Sequence, residues 1–464
     1  MNMNRISAPI RACVRRHVRQ AFTLIELMIS IALAALIMAG IHFIFSTTSR
    51  TAGMAHGLVS VVANARAAEP VMRQDLHGAA MDGPFFMIRS GRTFAFLNRD
   101  EEIAAGGNPA MKRPYRTDML MFFARGRFPR QTGNDGQYVA PMSSDEAYIW
   151  YGHLLQPLPD YQQPDDSWAH SGPGVGSGAT NPRNYYARDW ILGRVAMLLR
   201  EPDNMLDDFD QPQSYVRRGG VTPAPPEHLS PLSFNSMAND ASGSRIEKSR
   251  YDLAGTSIAG YRTILNTAIP LLIAQGEDWW SGPSATSRFG YRFQGNPHLL
   301  KPLNSFRMAR TAPCFLLGCV SFAVEFAGDF LTQDADGIII ANVPDGHIDF
   351  IREDLDPPNG LWANRVRWYG LPRDVDGDGA IDVQPLANST VPVVNFSGFP
   401  FERFITADRY IVAWGPDSAT YVPGPSFEPL PTPRPAMVRV VLSVDDPDGR
   451  LADSQSYEYV FALP

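Results

Sequence analysis

The chain has 464 residues, 44% of them hydrophobic and 19% charged, with a net charge of −7. That balance excludes a disordered chain, allows a sizeable core in one large domain or two to three ordinary ones, and argues against electrostatic attraction to nucleic acid or anionic lipid. The 38 glycines and 39 prolines predict many loops and turns.

The first 21 residues hold five arginines (Arg5, Arg11, Arg15, Arg16 and Arg19) and no acid, so the rest of the chain is more acidic still. Phe22 to Phe45 then reads FTLIELMISIALAALIMAGIHFIF, in which Glu26 and His42 are the only ionisable side chains. At about 1.5 Å per residue this makes about 36 Å of helix, enough to cross a bilayer. Basic residues on its N-terminal side keep the leader cytoplasmic and send the remainder across. The apolar run is longer than that of a secretory signal, and no small-residue cleavage site follows it. A lone carboxylate costs several kcal/mol in hydrocarbon and far less when paired, so Glu26 biases the helix toward a cationic partner.

The stretch AFTLIELMI (21–29) resembles the prepilin signal of type IV pilins and type II secretion pseudopilins. The resemblance implies that prepilin peptidase cuts between Ala21 and Phe22, removing residues 1–21, and that the new amine of Phe22 is N-methylated. The family usually has glycine where Ala21 stands. Glu26 then becomes an assembly residue, pairing with the terminal amine of a neighbouring subunit. The implied partners are other pilin-like subunits. The implied location is the bacterial inner membrane, with one span at 22–45, the head in the periplasm, and a place at the tip of a pilus or pseudopilus.

Residues 46–78 are alanine-rich and continue the helix, with Leu58, Val61 and Val62 suggesting an apolar stripe and Pro70 a kink or restart. Its end, EPVMRQDLHGA, resembles the end of the first helix of minor pilins and pseudopilins. From residue 79 to 464 the pattern is β-rich. FFMIRSGRTFAFLN predicts a hairpin, DMLMFFA (118–124) a strand, and AYIWYGHLL can pair with WILGRVAMLLR across a Pro/Asp/Gly/Asn-rich excursion at 156–188. A second insertion spans 203–245. AGYRTILNTAIPLLIAQ predicts a helix interrupted at Pro270. CVSFAVEFAGDF (319–330) alternates Val320, Phe322, Val324 and Phe326, and MVRVVLSV with SYEYVFAL forms a terminal hairpin whose Val438, Val440, Leu442 and Val444 share a face. The fold class is α+β: a long N-terminal helix, half membrane-spanning and half packed, with a large antiparallel head carrying long loop insertions.

DVDGDGAID supplies a D-x-D-x-D-G pattern. Asp374, Asp376, Asp378, the Ala380 carbonyl and Asp382 can converge on a hard cation, with Ca²⁺ the candidate cofactor. The twelfth position is Pro385 instead of glutamate and no flanking helices are evident, so this is a calcium loop without an EF-hand, or an acidic turn without an ion. Glu353, Asp354 and Asp356 could complete the shell. DADG (334–337) and DDPDG (445–449) are turns. Cys13 lies in the leader. Cys314 and Cys319 form a small-loop disulfide, if Gly318 turns the chain, or remain two buried thiols.

No H-E-x-x-H, G-x-S-x-G or P-loop is present. GVGSGA (174–179) sits in a loop without a preceding strand, and His153 and His347 lack an identified partner. Trp150, Trp190, Trp279, Trp280 and Trp368 either pack internally or make a ligand platform. The chain is expected to be a non-enzymatic minor pilin or pseudopilin serving assembly, without direct nucleic-acid binding. The alternative is a membrane-tethered ligand-binding or adhesin-like ectodomain.

Overall fold

The structure, a computed structural model, describes residues 23–464 apart from 84, 130–142, 155, 158–169, 172, 176, 180–181, 200–252, 255–256, 260–261, 263–313, 357–359, 375–380, 385–400, 415–433 and 452. One helix runs from Leu24 to His77. The chain divides into two compact units, one ending at His56 and the other running from Gly57 to Pro464.

In the first unit the helix is apolar all round and exposed, with Leu24, Leu36, Met38 and Phe45 each more than two-thirds exposed. A helix with this pattern needs lipid or other helices around it. In the second unit the helix buries Gly57, Val61, Ala65, Ala68, Met72 and Leu76, which recur every three or four residues. That stripe faces a core. Burial therefore begins at Gly57, later than the residue-46 start of the expected packed half. Gly57 is needed for close approach, because a Cβ there would come within 3.0 Å of the Asp446 carboxylate. The helix continues through Pro70 without a restart. The proline lies on the exposed face, where the Arg66 carbonyl it leaves without a helix donor meets water, and one residue earlier the Tyr459 hydroxyl donates to the Ala65 carbonyl at 3.0 Å.

Among the described residues, two main sheets of nine and five strands build the rest. The larger has nine strands, running in order Phe401–Thr406, Arg409–Trp414, Phe86–Ala95, Met119–Pro129, Ser143–His153, Ile191–Leu199 and Leu253–Ala254, with Arg113–Arg116 beside the third and Cys314–Leu317 beside the sixth. The second orders Val383–Gln384, Trp368–Tyr369, Cys319–Gly328, Pro435–Val444 and Gln455–Ala462. One core joins both to the helix: Met72 and Leu76 cluster with Ile88, Phe122, Ile149 and Val412 of the larger sheet and with Phe322, Val324, Val440 and Leu442 of the smaller. The larger sheet also buries its other face, through Met87, Met121, Phe123, Tyr148 and Trp150. Its strands accordingly read as apolar runs rather than alternations, as in MLMFFA and AYIWYG.

The terminal hairpin pairs from Met437–Ala462 to Val444–Gln455 without a bulge, and Ser143–His153 pairs with Ile191–Leu199. FFMIRSGRTFAFLN is not a hairpin. Phe86–Ala95 is a single strand whose first half lies between Arg409–Trp414 and Met119–Pro129 and whose second half pairs with Arg113–Arg116. Only long-range pairing could reveal that. The 156–188 excursion is not wholly superficial either. Asn184 donates to the Gln156 carbonyl, Gln156 donates to the Arg183 and Asp189 carbonyls, and Tyr185, Tyr186 and Ala187 are buried. The 203–245 insertion and nearly all of the segment around Pro270 lie outside the described residues.

Buried charges fix the parts in register. Asp75, in the last turn of the helix, accepts two hydrogen bonds from Arg194 (2.6 and 2.8 Å) and one from the Tyr151 hydroxyl. Burial, then the Asp75 charge, pushes the Tyr151 hydroxyl well above its ordinary value. Asp118, fully buried, accepts from Arg116 twice, from Ser90 Oγ and Gly91 N of the larger sheet, and from Val324 N of the smaller. Removing one member of such a pair leaves an uncompensated charge. Asp75→Ala is therefore expected to lower unfolding stability by about 3–5 kcal/mol, whereas Glu69→Ala, which breaks the exposed pair with Arg73, changes it by less than about 1 kcal/mol. Urea unfolding of the detergent-solubilised chain measures both.

Candidate functional site

The strongest chemical signal lies where the long helix begins. Thr23 donates to Glu26 Oε2 through its backbone N–H (3.0 Å) and its hydroxyl (2.9 Å), while Glu26 N–H donates to Thr23 Oγ1 at 3.3 Å. This is a reciprocal capping box, in which residues three apart satisfy backbone donors that the first helical turn leaves without partners. The carboxylate lies on the outside of the helix among Leu24, Ile25, Leu27 and Met28, all exposed. Thr23 escaped the sequence reading, although T-x-x-E ahead of an apolar run is the signature of such a cap. Nothing within the first unit supplies Glu26 with a cation among the described residues; its described partner is Thr23.

The helix is the one described element long and apolar enough to cross a membrane. Residues 16–41 match the prokaryotic N-terminal methylation motif, so the match runs from the basic leader through Ala21, Phe22 and Glu26 into the apolar helix. The chain carries a prepilin signal. Neither curated proteins nor solved structures match it. The prepilin signal of type IV pilins and pseudopilins implies processing by prepilin peptidase and association with other pilin-like subunits. Together with one apolar helix and a sheet-rich head, it fits a single-pass inner-membrane anchor of a structural subunit.

Of the residues named for a metal, Asp374 and Asp382 are described, whereas Asp376, Asp378 and Ala380 lie outside the described residues. The loop is closed at its base, where Asp382 N–H donates to the Arg373 carbonyl at 3.0 Å. Arg373 in turn grips buried Glu325, which Arg439 also holds at 2.6 Å. Glu353, offered for the shell, pairs with Arg365. At DADG, Asp334 Oδ1 accepts from Asp336 N and Ile338 N, both at 2.9 Å, which is an Asx-type turn. At DDPDG, Arg450 grips Asp446 twice at 2.8 Å and holds its carboxyl down at about 2.

Of the two cysteine alternatives, Cys319 is a free, buried thiol here, with Sγ 3.4 Å from the Ser321 carbonyl. The side chain of Cys314 lies outside the described residues. Gly318, at φ +69°, turns the chain between strands that join different sheets. Trp150 and Trp190 are buried core residues, while Trp368 lies under the Arg439 guanidinium at 4.6 Å. Trp279 and Trp280 lie outside the described residues. Gly174 in GVGSGA occupies positive φ (75°) close to Thr93, in a turn between the two-residue strand His170–Ser171, which the sequence reading did not expect, and the four-residue helix Pro182–Tyr185.

His347 is exposed in a turn. His153 is buried, its Nε2 hydrogen-bonded to the Cys319 carbonyl at 2.9 Å and its ring edge-on to Trp190. Burial drives its pKa from 6.5 to about 4, so the folded imidazole is neutral where the unfolded one takes up a proton. The folded-state value is depressed. The stability it contributes is complete above 6.5 and is lost as pH falls from 6.5 toward 4. His153→Gln keeps a donor for the Cys319 carbonyl without titrating. It is expected to flatten that part of the stability–pH curve, as read from urea midpoints across the window.

Proposed function

We propose that this chain is a minor pilin or minor pseudopilin, an assembly subunit of a type IV pilus or type II secretion pseudopilus, placed in the tip or priming complex. The observation that carries the proposal is the prepilin match at residues 16–41 opening an exposed, predominantly apolar helix. In this reading prepilin peptidase cuts between Ala21 and Phe22, and the methylated amine of one subunit meets Glu26 of its neighbour. Lipid leaves the carboxylate capped by Thr23 but short of a countercharge, and a neighbouring ammonium supplies it. Head size supports a tip position. The second unit extends from Gly57 to Pro464, bulk that side-by-side packing along a filament wall would not accommodate. The helix would anchor the protein in the inner membrane with its head in the periplasm, and its work would be assembly rather than catalysis.

Mass spectrometry of the protein recovered from membranes is expected to find an N-terminal methylated Phe22. Glu26→Ala is expected to be processed alike but to lose co-purification with other pilin-like subunits. A retained arginine leader, or undiminished assembly of Glu26→Ala, contradicts the proposal.

We further propose that the 374–382 loop binds calcium through Asp374, Asp376, Asp378, the Ala380 carbonyl and Asp382. Its support is the residue spacing and the closed base at Arg373 and Asp382. A cation there would stiffen the head next to the Glu325–Arg373–Arg439 cluster. Calcium at 100 times its dissociation constant is expected to stabilise the protein by about 2.7 kcal/mol. The increment should be reversed by chelator and absent in Asp376→Asn, both followed by thermal unfolding.

A further inference from the structure

On the strand Phe86–Ala95, Arg89 stands opposite Ile411 on one side and Met119 on the other, and two residues further along Gly91 stands opposite Arg409. Residues paired across an antiparallel ladder share a face, as do residues two apart on one strand. Arg89 and Arg409 are therefore diagonal neighbours on one face of the larger sheet. Gly91 puts no side chain between them, and a Cβ there would make ordinary contacts, the nearest with Thr117 Oγ1 at 3.7 Å. Arg89 is partly exposed and Arg409 exposed, beside fully buried Met87 and Ile411 on the same face of the sheet.

The arginines Arg116, Arg194, Arg373 and Arg439 each hold a buried carboxylate. Arg89 and Arg409 differ from them: among the described residues neither makes a hydrogen bond or ion pair. The acid adjacent in sequence, Asp408, pairs with Arg92. Asp118 is bonded to Ser90, on the alternate face of the strand, and saturated by Arg116. Burial, then the neighbouring Arg409 charge, pulls the Arg89 guanidinium down to about 10, which still leaves it charged at neutral pH. Two like charges side by side on one face are a standing cost that one anion relieves for both.

We infer that Arg89 and Arg409 form a receptor for an oxyanion of the phosphate class, free or carried on a lipid headgroup. Guanidinium forks match the oxygens of such a group, and two positive charges match a dianion. The negative charge of the whole chain keeps anions away at long range, so recognition is a contact effect, dependent on these two side chains. The inference is independent of the pilin-type reading.

The experiment compares the full chain in detergent with Arg89→Met and Arg409→Gln. Thermal unfolding is followed with inorganic phosphate against chloride at matched ionic strength, and flotation with phosphatidylcholine vesicles with and without phosphatidic acid. The arginine leader is common to all three proteins and cancels in the comparison. Phosphate is expected to raise the unfolding midpoint of the wild type, and each variant to bind it about tenfold or more weakly. In chloride alone Arg89→Met is expected to be at least as stable as wild type, which a merely structural arginine would not be. A response to inorganic phosphate assigns the free ion. Flotation on phosphatidic acid alone, lost in the variants, assigns a headgroup. A wild type indifferent to both, or a response that survives in both variants, overturns the inference. Because Arg409 is exposed, its variant retains the test should Arg89→Met fold poorly.

Discussion

The carboxylate of Asp75 is the contact on which the organisation of the second unit turns. It sits in the last turn of a helix, out of water, and the cost of burying it there is offset by Arg194 and Tyr151, which reach it from two adjacent strands of the larger sheet. Apolar packing along Val61, Ala68, Met72 and Leu76 holds the helix to the core but tolerates sliding by a turn. A bidentate ion pair does not. The apolar stripe supplies attraction and the charge supplies register.

The same device recurs where other elements must meet. Asp118 takes hydrogen bonds from both sheets at once, and Glu325 collects Arg373 from a loop and Arg439 from the neighbouring strand. Asp445 is held by Arg188, and Asp446 by Arg450, at the turn of the terminal hairpin beside Gly57. Every one of these acids is nearly or fully buried and is held by at least one arginine, whose planar fork loses little entropy per bond formed. Against that background two sites stand out as incomplete. Among the described residues Glu26 has donors but no countercharge on an apolar helix, and Arg89 with Arg409 has charge but no acid. Each is a place where free energy is gained when something outside the chain arrives.

The legible parts of the fold were those governed by local pattern. The apolar run, its basic flank and the acid at Glu26 mark the membrane helix. The alternation in Val438, Val440, Leu442 and Val444 marks a strand with one core face, and a short polar turn marks its partner. The strand Phe86–Ala95 was misread as a hairpin because its two halves have different partners, one of them more than three hundred residues away. Its arginines and glycine look like turn chemistry until both neighbours are known. The helix runs on through Pro70, because a proline's cost depends on which face of the helix it occupies, and that follows from packing. In the candidate site Glu26 was evident as a charge out of place. Thr23 was overlooked because threonine in an apolar helix is unremarkable unless its spacing to the acid is considered.

Residues 16–41 carry their meaning along one dimension, since leader charge, apolar length and one carboxylate are properties of consecutive residues that a membrane and a peptidase can read before anything folds. What becomes of the other acids and arginines is settled only in three dimensions. Asp75, Asp118 and Glu325 look like ordinary surface charges in the sequence, and Arg89 looks no different from Arg194. Burial and the approach of distant strands divide them into paired and unpaired. A buried charge takes its energy from partners that the chain brings close, and those partners are 119, 2 and 114 positions away for Asp75, Asp118 and Glu325.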